Sequence, residues 1–116
     1  MAVINTNLVC DLQNPVRVNY LCGNLYSDDS QGNSITVTVF DGGVPATLSG
    51  TVKVRVMRSD GATITGTGGA ISGNVVTITL PVNALTVPGV VNISVYIVSS
   101  GVTTTIASVV ANVYKS

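Results

Sequence analysis

Histidine, tryptophan and glutamate are absent from these 116 residues, and charge of either sign is scarce. Asp, Lys and Arg together make up 9% of the chain, against about 25% in an ordinary soluble domain. Nucleophilic catalysis through Ser, Thr or Cys needs a base to activate the nucleophile. Here the bases are five Asp, Lys53, Lys115 and the α-amine, and no catalytic constellation assembles from them. Five cations balance five anions, so no field draws nucleic acid or an acidic membrane. No apolar run approaches the ~20 residues that span a bilayer. The opening "MAVINTNLVCDLQNP" lacks the basic and unbroken apolar regions of a secretory signal. Only two cysteines occur, Cys10 and Cys22. With no sign of an oxidising compartment, they are expected as small buried hydrophobes rather than a disulfide. A metal site lacks both histidine and a second cysteine pair, and no cofactor is expected.

What remains is apolar and β-branched. Hydrophobic residues are 46% of the chain, enough for a self-sufficient core at this common domain size. From Ser34 onward the apolar residues recur at every second position. Ile35, Val37 and Val39 form one such row; Val52, Val54 and Val56 another; Val76, Ile78 and Leu80 a third. Val91, Ile93, Val95 and Ile97 follow, then Val109, Ala111 and Val113. Period-2 alternation of β-branched residues marks strands with one face in a core. Between the rows stand "DGG" (Asp41–Gly43), "SDG" (Ser59–Gly61), "SGN" (Ser72–Asn74), "PG" (Pro88–Gly89) and "SSG" (Ser99–Gly101). These are turn clusters, in which Asp and Asn bond nearby backbone and Gly supplies positive φ. Short strands at this spacing predict an all-β antiparallel β-sandwich. Only "LPVNALTV" (Leu80–Val87) has room for a helical turn.

The first 27 residues differ in texture. Asn, Leu and Val mix without alternation, "NP" at Asn14–Pro15 interrupts them, and "VRVNYL" (Val16–Leu21) reads as a possible strand. "SDDSQGN" (Ser27–Asn33) reads as a polar loop. The expected division is an N-terminal arm or strand segment over 1–27 and a sandwich over 28–116. Residues 1–13 fit either an ill-defined terminus or an apolar arm laid on a neighbouring subunit. Val3, Ile4, Leu8, Val9 and Leu12 are hard to solvate on a free tail, and strand addition to a partner would cover them. These five are the candidate partner-contact residues, and deletion of 2–13 is expected to leave a folded sandwich that no longer attaches.

Motifs with chemical content are weak. "GTGGAISG" (Gly66–Gly73) lacks the spacing of a phosphate or dinucleotide loop and leads into a strand, which suggests a flexible hairpin. "SDDSQGN" lacks the terminal Glu of a hand-type calcium loop. "NIS" (Asn92–Ser94) is a formal glycosylation sequon that falls within a strand. Asp28, Asp29 and Asp60 sit at turn or loop positions, where aspartate forms turns.

The order of features from Gln31 to Tyr114 resembles a phage domain. "QGN" (Gln31–Asn33) precedes a first strand. A "D-x-G-x-P"-like turn (Asp41–Pro45), "L-x-G" (Leu48–Gly50) and a "DG" hairpin (Arg58–Gly61) follow. Then come "V-x-I-x-L" (Val76–Leu80), "PG" (Pro88–Gly89) and a Thr run (Thr103–Ile106). This succession is similar to the immunoglobulin-like N-terminal domain of upper baseplate proteins of phages that infect Gram-positive hosts. Related phage head-fibre and capsid-surface proteins share it. The resemblance covers about three-quarters of the chain and rests on turn and strand punctuation.

The resemblance implies a virion structural protein rather than an enzyme. Upper baseplate proteins continue into a coiled coil, whereas this sequence ends at Ser116. The leading expectation is therefore a capsid decoration or head-fibre protein. It would sit on the outer capsid surface after assembly in the bacterial host cytoplasm, bound to the major capsid protein or other virion proteins. A tail or baseplate adaptor is the alternative. A surface so poor in charge favours association, so a homo-oligomer or repeated array is expected, without nucleic acid or membrane. A carbohydrate-binding or adhesin module is a further alternative, disfavoured by only four Tyr and one Phe.

Overall fold

The computed structural model describes residues 5–14, 18–20, 25–26, 34–85 and 87–114. Among the described residues eleven strands carry the fold: β1 (Asn5–Asp11), β2 (Val18–Tyr20), β3 (Leu25–Tyr26), β4 (Ser34–Asp41), β5 (Val44–Pro45), β6 (Thr51–Met57), β7 (Thr63–Gly66), β8 (Ala70–Ser72), β9 (Val75–Thr79), β10 (Gly89–Ser99) and β11 (Val102–Tyr114). One 3-10 turn, Val82–Leu85, falls inside the segment with room for it. The strands form two sheets. The first has the order β1-β4-β9-β8, with β5 on β4; the second has the order β2-β11-β10-β6-β7, with β3 on β11. The chain is an all-β sandwich.

The sheets meet through the alternating rows. In β4 and β6 every second side chain is buried, which is what a two-residue repeat produces when one sheet face is covered. Ile35, Val37, Val39, Val54, Val56, Ile78, Leu80, Ile93, Val95, Ile97, Val109 and Val113 are all in the core, as the periodicity predicts. Ile78 on β9 stands opposite Ile35 on β4, and Ile93 on β10 opposite Val56 on β6. The β10–β11 hairpin closes through Ser100 and Gly101, both at positive φ, the backbone combination of the two-residue turn whose twist matches its strands.

Three pairings depart from the antiparallel expectation. β1 lies parallel to β4, and β2 and β3 lie parallel to β11. Alternation reports which face a side chain occupies but not the direction of the neighbouring strand, so the sequence carries no sign of this. The consequence for the expected 1–27 arm is direct. Its stretch Asn5–Asp11 is a full-length strand of the first sheet, in register from Asn5 against Ser34 to Asp11 against Phe40. Cys10 is buried in the shared core. Cys22 lies outside the described residues.

A second departure concerns β11. Val95 pairs with Ala107 but Tyr96 pairs with Thr105, so Ile106 is an extra residue in the ladder. Such a bulge resets the two-residue phase. Ile106 and Ala107 are consequently both buried although adjacent.

"GTGGAISG" is not a hairpin. β7 pairs with β6 in the second sheet and β8 with β9 in the first, so this segment crosses from one sheet to the other. Its glycines let it pass close to neighbouring atoms. A Cβ built on Gly69 would stand 2.5 Å from Val52 Cγ1 and 3.1 Å from the Thr77 carbonyl oxygen. Val52 is itself buried and cannot yield easily. Gly69→Ala is therefore expected to cost about 1–3 kcal/mol, in the range for overpacked sites, measured by urea unfolding. A stability equal to that of the parent would contradict the close crossing.

Candidate interaction surfaces

The five candidate contact residues do not make one surface. Leu8 and Leu12 are half-buried and pack against the core, and Val9, between them in β1, faces outward at 68% exposure. Val3 and Ile4 lie outside the described residues. Strand pairing explains the split, since successive side chains of β1 point to opposite faces. The expected freedom to delete residues 2–13 meets a physical objection for the same reason. Removing them strips β4 of its parallel partner and takes Cys10, Leu8 and Leu12 out of the packed interior.

β1 is fastened at its end by a carboxylate. Asp11 Oδ1 accepts from Gly42 N at 2.9 Å and from Gln13 N at 2.9 Å, and Oδ2 accepts from Gly43 N at 3.0 Å. Gly42 and Gly43 both have positive φ, 63° and 83°. That geometry turns successive amides toward one anion, the arrangement of a backbone nest. Gln13 Nε2 donates to Asp41 Oδ1 at 2.6 Å, and Leu12 N to the Phe40 carbonyl at 2.8 Å. The corner thus gathers Asp11, Gln13 and Asp41 around the β4–β5 turn. Sequence spacing gave no hint of it, because Asp11 and Gly42 are 31 positions apart.

A second polar cluster braces the opposite part of the chain. Arg58 Nη2 bridges Asp60 Oδ2 at 2.6 Å, and Arg58 Nη1 donates to the Asn83 carbonyl at 3.1 Å. Ser59 Oγ donates to the Pro88 carbonyl at 2.7 Å. The Asp60 carboxyl is held below the usual carboxylate range, first by its hydrogen bond from Arg58 and then by the Ala62 amide. Asp60 therefore serves a turn, as its position predicts. Asp28 and Asp29 lie outside the described residues.

At one end of the sandwich the sheets part around a cavity of about 190 Å³. Leu12, Leu48, Ile97 and Ile106 line its floor, with hydroxyls of Ser49 and Thr104 among its walls. It is smaller than the roughly 300–1,000 Å³ of typical ligand sites and carries no charged group.

The strands of the two sheets differ in charge. Among the described strand residues, both anions, Asp11 and Asp41, belong to the first sheet, and both cations, Lys53 and Arg55, to the second. Arg55 stands over the Tyr96 ring, 5.3 Å from its centroid, within range of a cation–π contact. Exposed apolar side chains accompany each pair. Val9 and Val44 (63% exposed) belong to strands of the first sheet; Met57 (52%), Val90 (50%) and Tyr114 (45%) belong to strands of the second.

Two outcomes follow from the polar clusters. Asp11→Ala leaves three backbone amides without their charged acceptor and should cost about 1–3 kcal/mol, with β1 amides exchanging hydrogen faster than those of β10. Unchanged exchange in β1 would mean that the carboxylate does not hold the strand. For Asp60, a folded pKa below the unfolded 3.8 contributes stability that is present above that value and is lost as pH falls through the folded one. Asp60→Asn should flatten the acid limb of melting temperature below about pH 4, and an unaltered limb would assign the acid dependence to other carboxyls.

No family model matches the chain, and no curated protein matches it. Among solved structures the fold is similar to one described as "N-terminal domain of phage TP901-1 ORF48", with a TM-score of 0.56 and 13% sequence identity. The likeness extends over 97% of this chain and 98% of that one, so it concerns the whole sandwich, including the strands before Ser34.

Proposed function

We propose that the chain is a phage virion structural protein, an attachment module that acts by binding other virion proteins and catalyses nothing. The observation that carries this reading is the end-to-end likeness of its fold to a domain of a phage protein. It stands beside a sequence whose order of turns resembles phage upper baseplate and head-fibre domains. The surface supports the reading on physical grounds. It carries few charges and displays isolated apolar side chains such as Val9 and Val44, features suited to protein contact.

Within the particle, the proposed position is the outer capsid surface, in contact with the major capsid protein. The edge strand β1 and the β4–β5 turn beside it would supply part of the contact. One observation favours a second position, a baseplate adaptor. The similar fold is described as the N-terminal domain of its phage protein, and the sequence resemblance extends to upper baseplate proteins. Immunogold electron microscopy of particles from a phage that encodes this chain separates the two. Label on the head is the expected result and label at the tail tip selects the adaptor. Particles free of label, with all of the protein in the soluble lysate, would overturn the virion reading.

A further inference from the structure

We infer that the outer face of the second sheet is a docking surface for a different protein, which meets it with carboxylates set around an apolar patch. The inference deepens the attachment reading and rests on it.

Alternation fixes what that face displays. Val52, Val54 and Val56 of β6 are in the core, so Lys53, Arg55 and Met57 take the outer face. On β10, Val90 and Tyr96 stand out of phase with the core residues Val91, Val95 and Ile97; on β11, Tyr114 stands out of phase with Val113. All four tyrosines of the chain, Tyr20, Tyr26, Tyr96 and Tyr114, belong to strands of this sheet. The ladders set Tyr20 opposite Val110 and Tyr26 opposite Tyr114. Tyrosine, methionine and arginine are enriched where proteins bind one another. The outer face of the first sheet is plainer. Thr36 and Thr38 of β4 and Thr77 and Thr79 of β9 occupy it, out of phase with the core residues Ile35, Val37 and Ile78.

Charge identifies the occupant. No described strand of the second sheet carries an anion to offset Lys53 and Arg55. A second copy of this chain does not supply one from its described residues, because those carboxylates are committed. Asp11 accepts from Gly42, Gly43 and Gln13, Asp41 from Gln13, and Asp60 from Arg58. The anion therefore comes from another protein, and opposed potentials of this kind fix its orientation. Arg55 is already ordered over Tyr96, so little side-chain freedom remains to be lost on docking. A guanidinium can then hold a carboxylate through two parallel hydrogen bonds. Met57, Val90 and Tyr114, each about half exposed, supply the apolar part. Five strands about 4.8 Å apart and about six residues long at about 3.3 Å each present roughly 500 Å². Two such faces bury roughly 1,000 Å² in total, at the low end for a specific interface. In so small a contact the Arg55–Tyr96 pair carries a large share of the binding.

Complementation tests it on the full chain. Cells that express the wild-type or a variant chain are infected with a phage whose own copy is deleted, and copies of the chain in the particle fraction are counted by quantitative immunoblot. Arg55→Glu should lower that count at least about tenfold, because it sets carboxylate against carboxylate. Circular dichroism of the purified variant confirms that it is folded, and Lys53→Glu replaces it if loss of the Tyr96 contact unfolds the chain. Thr51, exposed on the same face, reads the sign of the partner's charge. Thr51→Glu should lower the count and Thr51→Lys should not. Thr77→Glu adds the same charge to the first sheet and should leave the count unchanged. Three results overturn the docking face while the virion reading stands: wild-type incorporation matched by the folded reversal variant, equal loss with Thr51→Lys and Thr51→Glu, or equal loss with Thr77→Glu and Thr51→Glu. A wild-type chain absent from the particle fraction overturns both.

Discussion

Everything in this molecule rests on one layer of β-branched side chains pressed between two sheets. Among the described residues no aromatic ring belongs to that layer, and its largest fully buried members are Ile78, Ile93 and Ile106, with valines prominent among the rest. Burying each such side chain contributes about 1.5–3 kcal/mol, and their stiffness at χ1 means little rotamer freedom is lost on packing. Small, similar side chains also keep the sheets evenly spaced. The cost of that uniformity is that no single large residue anchors the fold, so the ladders and turns must fix the register.

That division of labour explains what could be read from the sequence. Val37, Val54, Ile78 and Val95 declare themselves because each sits in a row with the period of a strand and one covered face. Turn positions such as Gly61 and Gly73 declare themselves through composition. The N-terminal segment is different. Leu8, Cys10 and Leu12 do alternate, but the apolar Val9 between the first two blurs the row's contrast, and a parallel partner 29 positions away leaves no local trace. Ile106 was hidden by a bulge, which breaks the very periodicity that reveals its neighbours. The crossing at Gly69 was hidden because glycine looks the same whether it serves flexibility or close approach; only the atoms of Val52 distinguish the two. The partner-contact set mixed residues of both faces of β1 for the same reason, and the carboxylate nest at Gly42 and Gly43 is tertiary by nature.

The scarcity of charge acquires a different meaning once the sheets are seen. Taken over the chain, five cations and five anions cancel, which reads as electrostatic indifference. Taken sheet by sheet, the charges on the described strands are sorted, with anions on β1 and β4 and cations along β6. A neutral molecule can thus have two distinct sides.

The position of β11 along the chain has a consequence for how the protein is made. It pairs with β10, β2 and β3, yet it follows all of them in the chain. Residues 18–26 leave the ribosome early and have no ladder to join until Val102–Tyr114 has followed. Until then the second sheet lacks the strand that joins β10 to β2 and β3. Any interruption of translation before β11 yields a fragment with open strand edges, the kind of species that aggregates or is consumed by proteases.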